Sequence, residues 1–67
     1  MNIKNLSEKV KHELRQNKYY KHEYYGFEIK LNRDNMLEYS GEEYINSVSN
    51  INFIVEKAID SFYAINY

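Results

Sequence analysis

The chain of 67 residues reads as an α+β fold, two helices packed on one face of a small antiparallel sheet in the order α-β-β-(β)-α. Three observations predict it. Ile3, Leu6, Val10 and Leu14 recur at helical spacing near the start. Ile51, Ile54, Val55, Ala58, Ile59 and Phe62 form a second helical stripe near the end. Between them Phe27, Ile29 and Leu31 alternate with Glu28 and Lys30, the period of a strand with one buried face.

The first helix has Asn2 or Asn5 as its cap, with Glu8 three positions after Asn5 where a capping box places it. It is expected to end near Asn17 and to meet the next segment with almost no loop. That segment is crowded with aromatics: Tyr19, Tyr20, Tyr24, Tyr25 and Phe27, with His22 among them. An unbroken strand from Tyr19 to Leu31 puts Tyr25 on the core face with Phe27. It puts Tyr20, His22 and Tyr24 on the opposite face with Glu28 and Lys30. Gly26 is the weak point, because a bulge there would swap the faces upstream and turn Tyr20 and Tyr24 inward.

Asn32-Arg33-Asp34-Asn35 is a turn, made of residues that tolerate unusual backbone angles. Met36 to Tyr39 returns as a second strand, so the pair forms a hairpin. Ser40 to Glu43 is a second turn, and Tyr44 to Val48 a short third strand before a helix capped by Asn50. A competing parse makes one helix from residue 41 onward, because Ser40 with Glu43 also forms a capping box. Tyr44, Val48, Ile51, Val55, Ala58, Phe62 and Ile65 then keep a heptad rhythm. Asn46, Ser47, Ser49 and Asn50 are poor helix interior and favour the strand followed by a helix.

A single domain this short buries a modest share of its surface and is marginal alone. With no cysteine there is no disulfide and no thiolate metal site. A homodimer is therefore the expected source of added stability. No apolar run is long enough to span a membrane, and the opening Met1-Asn2-Ile3-Lys4-Asn5 has no signal-peptide character. A soluble, cytoplasmic protein is expected. The net charge of −1 hides an asymmetry. Lys4, Lys9, Lys11, Arg15 and Lys18 make the first helix basic, whereas Glu38, Glu42, Glu43, Glu56 and Asp60 make the last third acidic. Two helices attracting one another is one reading of this pattern; an acidic face meeting a basic partner is the other.

Catalytic chemistry finds no motif. The serines have no nucleophile elbow, Glu42-Glu43 reads as helix-dipole partners, and no glycine-rich phosphate loop is present. The sequence is therefore expected to be neither an enzyme nor a cofactor carrier. His12 and His22 lie too far apart in different elements to begin a metal site, so no metal is expected. Nucleic-acid binding has the aromatics it needs at Tyr20, His22 and Tyr24, with Lys21, Lys30 and Arg33 at the edge. The segment is neutral and the pI is about 6.1, which disfavours phosphate binding.

Eight tyrosines exceed what one small core needs. Tyrosine gives large contact area at low entropy cost, so Tyr20, His22, Tyr24, Glu28 and Lys30 are the expected partner or dimer surface.

Three stretches carry a resemblance. They are the opening Met1-Asn2-Ile3-Lys4-Asn5-Leu6, the strand and turn Ile29-Lys30-Leu31-Asn32-Arg33-Asp34, and Tyr44 to Phe62 with its Phe53-Ile54-Val55-Glu56-Lys57-Ala58-Ile59-Asp60-Ser61-Phe62 run. Together they resemble small prophage-encoded anti-CRISPR proteins that inhibit the type II effector nuclease, over about two-thirds of the chain. That resemblance implies a helix–sheet–helix fold and a DNA-like acidic surface that occupies the nuclease's PAM-reading site. The acidic excess here is weaker, the middle segment is neutral and tyrosine-rich, and the family's third helix has no counterpart. The expectation carried forward is therefore broader: a small phage or mobile-element protein that binds and inhibits a bacterial defence complex, its partner a host nuclease or helicase. A small nucleic-acid-binding regulator and an assembly protein are the alternatives.

Overall fold

The computed structural model describes residues 3–66, without the side chain of Asn66. Helix α1 (Ile3–Asn17) is followed by four strands, β1 (Tyr19–Lys21), β2 (Glu28–Leu31), β3 (Met36–Tyr39) and β4 (Glu42–Ile45), and then by helix α2 (Val48–Asn66). The strands form one antiparallel sheet in the order β1-β2-β3-β4. The α+β class and the helix–sheet–helix order read from the sequence are those of the structure, and the strand-then-helix parse of residues 41–65 is the one adopted.

Each junction has a local cause. Asn5 lies inside α1 and so is not its cap, while Asn2 falls outside the described residues. Glu8 instead pairs with Lys11 at 2.7 Å. Helix α1 stops because Lys18 takes φ +61° and donates its N–H to the Leu14 carbonyl at 3.0 Å, the single-bond left-handed cap normally given to glycine. Strand β1 therefore begins one residue later. Between β2 and β3 the Asn32 Oδ1 accepts the backbone N–H of Asp34 and of Met36, at 2.9 and 3.0 Å. Asn35 supplies the left-handed residue at φ +60°, as three-residue hairpin loops require. Ser40 and Gly41, at φ +52° and +81°, make a tight two-residue turn, so β4 starts at Glu42 rather than Tyr44. Ser47, not Asn50, caps α2: its Oγ accepts the Asn50 N–H at 3.2 Å. The Asn50 side chain instead donates to the Ile45 carbonyl at 2.7 Å.

One continuous core joins both helices to one face of the sheet. It contains Leu6, Val10 and Leu14 from α1, Ile51, Ile54, Val55, Ala58 and Ile59 from α2, and Ile29, Leu37 and Tyr39 from the strands. The opposite face carries charge. Lys21 stands opposite Glu28, and Lys30 opposite Glu38, which stands opposite Glu43. Lys57 of α2 donates to the Tyr44 hydroxyl at 3.4 Å and lies 3.9 Å from Glu42, which ties α2 to the β4 edge.

The main departure from expectation lies in the tyrosine segment. The strand is not unbroken from Tyr19 to Leu31. Chain reversal at residues 22–27 makes β1 and β2 a hairpin, with Tyr20 opposite Ile29. Gly26 at φ +72° is the hinge of that turn rather than a bulge within a strand. Tyr20 therefore points inward and is 8% exposed. Phe62, expected in the core against Phe27, Ile29 and Leu31, is only half-buried and sits instead against the turn tyrosines.

Candidate partner-binding surface

The β1–β2 turn is closed by three hydrogen bonds that involve His22. The His22 N–H donates to the Phe27 carbonyl at 2.9 Å, and the Gly26 N–H donates to the His22 carbonyl at 2.7 Å. The Tyr25 N–H donates to Nδ1 of the His22 imidazole at 3.1 Å. These bonds fix the direction in which Tyr24 and Tyr25 leave the backbone.

Opposite the turn lies the C-terminal end of α2. Its buried stripe runs out at Ile59. The helix continues with Phe62, Tyr63 and Ile65, which are half-buried or exposed. Turn and helix end close on one another through rings. Tyr25 stands edge-on to Phe62 at 4.9 Å, and Tyr24 stands edge-on to Tyr25 at 5.0 Å. Tyr24 tilts over Phe62 at 5.3 Å, and Tyr63 is edge-on to Phe62 at 5.3 Å. Edge-on and tilted pairs at these separations are the favourable arrangements for aromatic quadrupoles. The Tyr25 and Tyr63 hydroxyls approach to 3.5 Å. That contact, followed by desolvation, pushes the Tyr25 hydroxyl pKa up to about 12, so Tyr25 stays neutral at any physiological pH.

The cluster packs within itself yet remains open. Tyr24 is 70% exposed, Tyr63 42% and Ile65 82%. Singly exposed apolar residues are ordinary, whereas a contiguous set marks a contact surface. A groove lined by Tyr25, Phe27, Tyr39, Ala58, Phe62 and Ile65 runs beside the cluster, with Glu28 at its edge.

The residues singled out in the sequence fall in four places. Tyr20 is in the core, and burial together with nearby Glu13 raises its hydroxyl pKa. It is therefore removed from the expected surface, because the turn restarts the alternation of the strand. His22 is half-buried beneath the turn, stacked on Phe27 at 5.4 Å. Tyr24 is on the exposed cluster. Glu28 and Lys30 lie on the charged outer face of the sheet, apart from the cluster's centre. Tyr25, expected on the core side with Phe27, is half-buried and stacks on it at 6.5 Å. Sequence reasoning missed Phe62, Tyr63 and Ile65 as surface. The available signal was the length of the helical stripe, which outruns the strands below it.

Among the described residues no three metal-ligating side chains gather, and no helix is long and apolar enough to cross a membrane. No family model, curated protein or solved structure matches the chain.

Proposed function

We propose that this is a small phage or mobile-element protein that binds and inhibits a bacterial defence complex by direct protein contact. Its aromatic end, Tyr24, Tyr25, Phe62 and Tyr63, is the contact surface. One observation carries the reading: a contiguous aromatic cluster built by two separate elements and left open to solvent among the described residues. Such clusters supply the anchors of protein interfaces. The resemblance of the opening, of Ile29 to Asp34 and of Tyr44 to Phe62 to anti-CRISPR proteins suggests the class of target. The outer sheet face does not favour DNA mimicry, because Lys21 and Lys30 interleave with Glu28, Glu38 and Glu43.

The nucleic-acid alternative has one observation in its favour. A shallow groove between α1 and β1 is lined by Lys9, Lys21, Tyr19 and Tyr24. Glu13 and Glu23 line the same groove and cancel its positive charge, which phosphate binding requires.

The test is infection of bacteria whose type II CRISPR system targets a phage. Expression of this chain restores plaque formation, and the purified chain forms a stoichiometric complex with the effector nuclease. Unchanged immunity with no complex would overturn this target; salt-sensitive binding to DNA or RNA would replace it with the regulator.

A further inference from the structure

His22 occupies an unusual position for an ionisable group. Its Nδ1 accepts a hydrogen bond from the Tyr25 N–H at 3.1 Å, so that nitrogen carries no proton and the neutral ring holds its proton on Nε2. Its ring is enclosed by aromatics: Tyr25 at 4.8 Å, Phe27 at 5.4 Å and Tyr20 at 6.2 Å. The charged groups facing this region are Lys9 and Glu13 of α1, Lys21 of β1 and Glu23 of the turn. Two are cations and two carboxylates, and none of the four hydrogen-bonds to the ring. Its backbone N–H and carbonyl are both spent on closing the same turn. One residue thus makes three of the bonds that shape the segment bearing Tyr24 and Tyr25.

We infer that His22 is the positioning residue of the aromatic surface: its neutral imidazole clasps the Tyr25 N–H and holds the turn, and a proton at Nδ1 opens the clasp. A protonated Nδ1 is a donor facing a donor, so the bond is replaced by repulsion. The turn then loses the tie that aims Tyr24 and Tyr25 at Phe62 and Tyr63. Burial, and secondarily Lys9, lower the His22 pKa below its ordinary value of 6.5, with Glu23 opposing. The folded chain binds the proton less readily than the unfolded one. The contribution of the clasp is therefore complete above pH 6.5 and is lost as pH falls through the lower folded value. Partner binding weakens over the same range; that consequence rests on the function proposed above, whereas the clasp itself does not.

The geometry also supplies a non-titrating replacement. Asparagine places its Oδ1 on Cγ, where histidine places Nδ1, and asparagine caps backbone N–H groups in this way. The experiment is NMR on the free full-length chain from neutral to mildly acidic pH, for the wild type and His22→Asn. In the wild type His22 is the Nε2–H tautomer and titrates below 6.5. The Tyr25 and Gly26 amides lose at least tenfold in exchange protection with that midpoint, while Ile29 and Leu37 keep theirs. His22→Asn retains turn protection with no such midpoint. Because the free chain is observed, failure of any partner to contact the aromatic surface would overturn the proposed function and leave the clasp standing. An Nδ1–H tautomer at neutral pH, or turn exchange that ignores His22 protonation, would overturn the clasp. So would a His22→Asn variant with the same acid response as the wild type.

Discussion

The two ends of α2 face different tasks. Over its first three turns Ile51, Ile54, Val55, Ala58 and Ile59 are buried against the sheet and α1. Over its last turns the same apolar character continues through Phe62, Tyr63 and Ile65, but these side chains are half-buried or exposed. Composition does not separate these halves; what lies opposite does. Apolar side chains that are buried in the first turns stabilise the fold, whereas Phe62 and Tyr63 pack against the tyrosines of one turn. The apolar surface left over is available to another molecule.

Tyr20 and Tyr24 give the largest test of that difference, since they sit four residues apart on opposite sides of it. Tyr20→Ala removes a buried ring packed on Phe27 at 6.0 Å, and its loss costs about 3–5 kcal/mol, enough to unfold much of a marginal domain. Tyr24→Ala costs less than about 1 kcal/mol, as exposed substitutions do. Urea denaturation of both variants reads the contrast; equal losses would erase it. Gly26→Ala comes next. An added Cβ meets nothing within 4 Å, so the cost is that of holding alanine at φ +72°, about 1–2 kcal/mol. Its amide exchange should rise in residues 22–27 and leave the core strands unchanged. Ser47→Ala acts at the buried end of α2 and removes the acceptor for the Asn50 N–H. It lowers global stability by about 1 kcal/mol, measured by thermal melting, with no change at the aromatic end.

The same contrast explains what the sequence made legible. Both helices, the Asn32–Asn35 turn and the core stripe were readable because each rests on local periodicity or turn chemistry. Ser47 and Asn50 both suit a helix start, and only the path of β4 decides between them. The tyrosine segment was misread because Gly26 allows two backbone paths, an extended one and a reversal. The choice is made at a distance, by Ile29 pairing with Tyr20 and by His22 closing the turn. Phe62 belongs to the core stripe by spacing alone. That it lies past the sheet depends on strand lengths that spacing does not carry. Of the expected surface Tyr24, Glu28 and Lys30 are exposed, and the cluster around Tyr24 joins Tyr25 to Tyr63, 38 residues apart in the chain.

The account's central claim is that the aromatic end is spared from folding and used for contact. The most direct measurement is the double variant Tyr24→Ala with Tyr63→Ala, assayed for complex formation with the type II effector nuclease alongside its circular dichroism. The account predicts native dichroism, a melting temperature within a few degrees of wild type and binding weakened more than tenfold. A folded double variant that binds as the wild type does would contradict it.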